Sequence, residues 1–479
     1  MSERPPLTPL VREVAAQVAD PAAVARLQQA TLDILETVGV KVGSEKALDL
    51  LAACGARVER PAGIVRFPPE LVLEALARAP RWFDLGARDP TCALHLDERT
   101  TFCTTDGCGT EVDFGEGCRP STKADLAAIT RMADYLPSIA FWWPTVAAGD
   151  QGRTAQLHEL DAGWNNTVKH LQGMVNGERE ARYAVEMATV IAGSREELRR
   201  RPPLSELIGT VSPLVLGRDA VEAALVFAEA RVPVVFVTMP TLGTTAPATR
   251  AGAVALGAAE LVAATVTLQL AHPCAPVAHS IMLSYADPRS GGFVGFPLDG
   301  RGRFLATGLA HAWGVPSEAA CCGTDSRQPG TWQAGVEDGV DLALAAWEGT
   351  ELMPSLGLLD TYTLFRPEHL LLGHDLYERA RYSLLAVDAD ADALALEAIA
   401  DVGPGGHFLG HSHTRSRLRH SFVRAITQEP GEDGYRDPLE VAGERARWIL
   451  EHHRPEPLAD DQRRELSRIL AAADAELRR

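Results

Sequence analysis

The sequence predicts an α/β protein: a (β/α)8 TIM barrel with an N-terminal helical region and a C-terminal helical extension. Three observations carry that prediction. From about residue 100, short apolar or β-branched runs alternate with amphipathic stretches at helical spacing. Eight such runs can be counted, starting near Thr101, Ile139, His170, Leu207, Val232, Ala275, Glu318 and Glu351, the number a (β/α)8 barrel requires. The run Val232-Pro-Val-Val-Phe-Val-Thr-Met239 is nearly all apolar, as expected of a parallel strand covered on both faces. A doubly wound open sheet would show the same alternation. No Gly-x-Gly-x-x-Gly follows a candidate strand, which weakens its dinucleotide-binding version.

The elements divide the chain into three parts. Residues 1–95 read as helical: Leu27, Leu32, Ile34 and Leu35 recur at helical spacing before Gly39, Ala47 to Ala53 repeats the pattern, and Pro68-Pro69 opens a third helix that Pro80 ends. Residues 96–390 hold the strand–helix units. Their helices are predicted over Lys123 to Tyr135, Glu178 to Ala192, Asp219 to Arg231, Ala248 to Leu270, Gly302 to Trp313, Gln333 to Gly349 and Pro367 to Val387. Residues 391–479 are charged and helical, and are expected to pack outside the barrel.

Composition removes several function classes. Acidic residues outnumber basic ones 64 to 46, a net charge of −18. A surface of that sign repels phosphate, so neither nucleic acid nor an anionic membrane is an expected partner. MSERPPLTPL lacks the basic start and apolar core of a signal peptide, so the cytoplasm is the default location. The most apolar stretch, Ala251 to Ala278, is interrupted by Glu260, Gln269, His272 and Pro273, and reads as a buried helix running into a strand. Eight cysteines in 479 residues are too sparse for a disulfide scaffold.

Barrel enzymes place their chemistry at the C-terminal ends of the strands. There the sequence offers Asp106 after the first candidate strand, Trp143 in the second, Asp325 after the seventh and Tyr362 after the eighth, with Asn166 at the entry to the third. Carboxylates beside aromatic faces suit a cation, because the ring quadrupole attracts ammonium. Each position alone is more often core or turn; their grouping at one predicted barrel end gives them weight. The stretch Gly403-Pro-Gly-Gly-His-Phe-Leu-Gly-His-Ser-His-Thr414 holds His407, His411 and His413. Imidazoles suit zinc, yet H-x3-H-x-H matches no common zinc spacing, and a structural role or a contact with substrate or partner is as open. Cys103, Cys108, Cys118 and the adjacent Cys321-Cys322 also lack zinc-site spacing and read as buried small residues more readily than as nucleophiles.

Several motifs resemble the trimethylamine methyltransferase family of corrinoid-dependent enzymes. They are Thr105-Asp-Gly107, Val112-Asp-Phe-Gly-Glu-Gly-Cys-Arg-Pro-Ser-Thr-Lys-Ala-Asp-Leu126, Asn166-Thr-Val-Lys169, Ser212-Pro-Leu214, Gly243-Thr-Thr-Ala-Pro247 with Ala251-Gly252, Thr324-Asp-Ser-Arg327, Gln333-Ala-Gly335 and the glycine–histidine stretch, all in order. The resemblance implies a (β/α)8 barrel that moves a methyl group from a methylamine to the cobalt of a corrinoid (cobalamin) carried by a cognate corrinoid-binding protein. No metal would be bound by this chain. Written in standard residues, the chain resembles the pyrrolysine-free branch, which includes glycine betaine methyltransferases. The expected substrate is a small quaternary or tertiary methylated amine such as a betaine, and a homo-oligomer is expected. Asp106, Trp143, Asp325 and Tyr362 would hold the cation; Asn166, Gln333 and His407 would donate to a substrate carboxylate. A zinc-dependent barrel hydrolase built on the three histidines and a non-catalytic amine-binding member of the family are the alternatives.

Overall fold

The computed structural model describes residues 5–12, 19–294, 300–319, 323–418, 425–432 and 434–477. Seven parallel strands organise it: β1 (Thr100–Thr105), β2 (Phe141–Trp142), β3 (His170–Gly173), β4 (Leu204–Gly209), β5 (Val234–Thr238), β6 (Val277–Ile281) and β7 (Leu352–Leu356). Strands β2 to β6 form one sheet in chain order, and β7 pairs with β1, Leu352 opposite Phe102. Two single parallel bridges, His279 to Ser317 and Glu318 to Leu352, join β6 to β7 through the seventh apolar run. On the other flank the Ala140 N–H donates to the Cys103 carbonyl at 2.7 Å, beside the start of β2. Leu10–Val11 pairs antiparallel with the first residues of β1. The fold is mixed α/β with its parallel strands in sequence order.

The helices between the strands fall where apolar periodicity places them. Lys123–Tyr135 begins at a Thr122–Asp125 capping box, and Glu178–Ala192 ends at Gly193 in the left-handed conformation glycine adopts freely. Arg250–Ala271 is, among the described residues, the one helix long and apolar enough to cross a membrane, but its apolar window is buried in the body of the protein. Its Glu260 explains why one acid interrupts so apolar a helix. One carboxylate oxygen accepts from the Leu214 N–H at 2.8 Å, and the other accepts from the hydroxyls of Thr210, Ser212 and Thr238.

The N-terminal region departs from the all-helical expectation. Helices Pro21–Asp33, Glu45–Ala53 and Pro69–Leu76 are present. Between them, Val40–Val42, Ile64–Arg66 and Arg57–Glu59 form a small sheet that Val215–Leu216 extends. Short runs set off by Gly39, Gly55 and Gly63 pair because a strand needs only a few β-branched residues when it has neighbours. Val24, Leu27, Val40 and Phe67 belong to the same buried core as the strands and their helices. At the other end, helices Pro438–His452 and Asp460–Leu477 pack on the outer helices through Ala442, Ala446, Ile449, Leu466 and Ile469. His453 Nε2 meets Asp134 Oδ2 at 2.8 Å, stapling that extension to the helix Lys123–Tyr135.

Paired residues in parallel strands point to the same side, so the registers show which side chains face inward. Gln172 pairs with Ser205, Leu207 with Val235, Val235 with Ala278 and Val237 with Ser280, and Glu318 with Leu352. Phe102, Phe141, Leu207, Val235, Ala278 and Leu352 form the apolar part of this inner face.

Candidate functional site

Asp106 leaves the end of β1, its N–H donating to the Leu356 carbonyl at 2.8 Å. Oδ1 accepts the Gly107 N–H at 3.0 Å, while Oδ2 is buried without a hydrogen-bond partner among the described residues. Only 3% of the residue is exposed. Burial pushes its carboxyl up to about 8 against the help of the Gly107 N–H, and the negative charge of Asp341 adds to the rise. A carboxyl oxygen left dry and unpaired is costly.

Trp143 follows β2 and lies against the same turn. A Cβ on Gly107 would sit 2.7, 2.7 and 2.9 Å from three carbons of the fused indole, which places the turn over the ring face. The indole Nε1 is buried and also unpartnered. Gly323 flanks the other side of the carboxylate: a Cβ there would lie 3.3 Å from Asp106 Oδ2. Two glycines thus keep space around one acid and one aromatic face.

Deeper on the inner face lies a polar group that strand ends alone do not reveal. Gln172 Nε2 donates to Glu318 Oε2 at 2.7 Å, linking β3 to the segment between β6 and β7. Gln172 Oε1 and Ser280 Oγ are buried without partners. Burial pushes the Glu318 carboxyl up to about 7, opposed by the Gln172 amide. The signal for these residues was the period-2 alternation within each strand, which puts Gln172 and Ser280 inward with the apolar residues. Cys108 also lines the mouth, its Sγ 3.1 Å from Met174 Sδ. Although Cys108 is exposed, desolvation by the protein around the thiol and the acids Glu159 and Asp106 push it up to about 12, so it stays protonated.

The other residues singled out from the sequence do not all gather here. Asp325 Oδ1 accepts from the Thr361 hydroxyl at 2.9 Å, and its N–H donates to Glu337. That staples it to the loop carrying Tyr362, whose ring stands 6.2 Å from Phe293. Asp360, Thr361 and Tyr362 all have positive φ, from 54 to 69°, strain held by the N–H groups of Asp360 and Thr361 donating to the Ser326 and Thr324 carbonyls. Gln333 is exposed and donates to Glu337 Oε1 at 3.0 Å. Asn166 ends the helix Ala155–Asn166, before β3, and so lies at the end of the strands opposite Asp106. There it accepts from Arg131 and donates to the Ala162 carbonyl. His407 sits in the exposed loop between helices Leu396–Val402 and Ser412–Arg417.

His411 Nδ1 takes up the His413 N–H at 3.2 Å, a helix cap rather than a metal contact. Among the described residues no three His, Cys, Asp or Glu side chains converge as a metal ligand set. Cys321-Cys322 lies outside the described residues. Cys103 is buried, and that burial raises its thiol well above the ordinary range.

The protein is thus an α/β fold with a buried acid against an aromatic face at the C-terminal ends of its parallel strands. A family profile described as trimethylamine methyltransferase (MTTB) matches residues 3–477, and the chain belongs to that family. It is 29% identical over 452 residues to the trimethylamine methyltransferase MttB of Desulfitobacterium hafniense, covering 91% of this chain and 89% of the relative. It is 26% identical over 404 residues to a glycine betaine methyltransferase of Desulfitobacterium hafniense, covering 83% and 84%. The crystal structure of the Methanosarcina barkeri monomethylamine methyltransferase superposes with a TM-score of 0.49 at 12% identity, over 90% of this chain and 92% of that one.

Proposed function

We propose that this protein removes a methyl group from a quaternary or tertiary methylamine and passes it to the corrinoid of a partner protein, on strands closed into a (β/α)8 barrel by the two single bridges. The observation that carries the reading is the buried, unpartnered Asp106 Oδ2 beside the Trp143 face. A methylammonium cation supplies the missing charge, and the indole adds about 2 kcal/mol of desolvated cation–π attraction. The corrinoid, when bound, supplies a Co(I) nucleophile. The chain's own residues bind and orient the cation.

The C–N bond breaks with its electron pair left on nitrogen, so the amine departs neutral from a quaternary substrate and needs no acid. Holding the cation in line is therefore the main task, a positioning role. Asp106 fixes the nitrogen, Trp143 covers one side, and the side-chain-free positions Gly107 and Gly323 leave the mouth open for cofactor approach. Asp325 and Tyr362 line the same mouth in this reading.

The test is demethylation by purified protein with reduced cobalamin and a panel of trimethylamine, tetramethylammonium, choline and glycine betaine, followed by cobalt absorbance and amine release. Turnover of at least one amine, abolished in Asp106→Asn, is the expected result. No turnover of any of them with either free cobalamin or a cognate corrinoid protein would overturn the proposal.

A further inference from the structure

The inner face holds more hydrogen-bonding capacity than a bare ammonium can use. Quaternary nitrogen has no N–H, and its methyl groups offer only weak contacts. Yet Gln172 Oε1 and Ser280 Oγ are both buried and unpartnered, on strands β3 and β6. Gln172 follows Leu171 of the Trp142–Leu171 pair, so it is the neighbour of Trp143 across the sheet. Ser280 and Glu318 are likewise next to each other, one step beyond the His279–Ser317 bridge. Glu318 receives the Gln172 amide, so the three residues form one connected patch beneath the aromatic face.

The chemistry of this patch is selective. An amide oxygen accepts only, a serine hydroxyl both donates and accepts, and a carboxyl in its protonated form donates. A ligand hydroxyl answers all of them, because it donates once and accepts twice. A carboxylate accepts only: Ser280 and a protonated Glu318 could donate to it, but Gln172 Oε1 would be left unpaired. Among the described residues the buried cations are engaged elsewhere: Lys169 Nζ donates to the Ala133 and Leu136 carbonyls, and Arg303 pairs with Asp341 and Glu348.

We propose that Gln172, Ser280 and Glu318 form a second subsite that binds a hydroxyl, making the preferred substrate a methylated amine that carries an alcohol and no carboxylate. This rests on the methylamine reading of Asp106 and Trp143, and deepens it. The chain alone is titrated calorimetrically with choline, tetramethylammonium and glycine betaine. Choline should bind about tenfold tighter than tetramethylammonium, the worth of one to two net hydrogen bonds, and glycine betaine should bind weakest. Gln172→Met, close in volume, should collapse the choline-to-tetramethylammonium ratio toward one, and Ser280→Ala should reduce it in part.

Glycine betaine binding as tightly as choline would overturn the proposal. So would a ratio unchanged in both variants, meaning that the patch holds water alone. Because binding is read without cobalt, the two proposals fail separately. Hydroxyl-selective binding without methyl transfer defeats only the methyltransferase reading. Methyl transfer without hydroxyl selectivity defeats only this one.

Discussion

Replacing Asp106 by Asn should stabilise the empty protein while destroying its affinity for cations, and the gain should grow with pH. The free carboxyl titrates near 3.8 and the native one near 8, chiefly through burial. Between those values the native state keeps a proton that the unfolded chain has released, so stability falls as pH rises through that window. At about pH 5 the mismatch spans roughly 1.2 pK units, or about 1.7 kcal/mol, and at about pH 8 it approaches roughly 5 kcal/mol, an upper bound because water penetration softens real burial. Asn has the same shape, can still accept the Gly107 N–H, and has no charge to desolvate. Urea unfolding of both proteins at the two pH values measures the difference directly, with buffers free of amines. A gap that widens by a few kcal/mol toward high pH is the expected outcome. A pH-independent gap, or an Asn variant less stable than the parent at about pH 8, would show that Asp106 is already satisfied and that no cation is required there.

Two further outcomes follow from the same geometry. Trp143→Leu should weaken tetramethylammonium binding about 30-fold by calorimetry, the equivalent of about 2 kcal/mol of lost cation–π attraction, whereas Trp143→Phe should recover part of it. Asp134→Asn should destabilise the fold by about 3 kcal/mol at neutral pH and loosen the C-terminal helices to limited proteolysis. Burial alone would raise that carboxyl, but His453, Lys169, Thr167 and the Val168 N–H hold it down at about 2. Its contribution is therefore present above about pH 4 and is lost as pH falls through about 2.

Much of the scaffold was legible because it is written in periodicity. The runs starting near Thr101, His170 and Glu351 became β1, β3 and β7, and the helices Lys123–Tyr135 and Glu178–Ala192 have the ends that their caps announce. Among the described residues the seventh run appears as two bridging residues, since Ser317 and Glu318 make one bridge each. Asp106 and Trp143 were visible because polar and aromatic residues at strand ends stand out. Asn166 was misleading because adjacency to a strand does not say which end; it precedes β3 and caps a helix. Gln172 and Ser280 were passed over because a polar residue inside an apolar strand reads as a solvated face until the strand registers show which side is buried.

The motifs that identify the family mostly build the mouth and leave the choice of substrate to others. Asp113 accepts the Gly115 and Gly117 N–H groups and pairs with Arg366. Arg119 and Thr122 both bind Asp125. Glu260 gathers Ser212 and Leu214, and Glu337 gathers Thr324 and Asp325. Each contact fixes a loop at a strand's C-terminal end, and none of them reaches Asp106 Oδ2, which has no partner. On the proposed reading such loops are held alike whatever amine is bound, because the cofactor approaches the same mouth. The group that distinguishes one methylamine from another lies beyond its nitrogen, where the proposed subsite presents Gln172, Ser280 and Glu318. Overall identity therefore carries little information on substrate: a trimethylamine methyltransferase and a glycine betaine methyltransferase stand at 29% and 26% from this chain. On the proposed reading, three inward side chains decide what the shared frame holds.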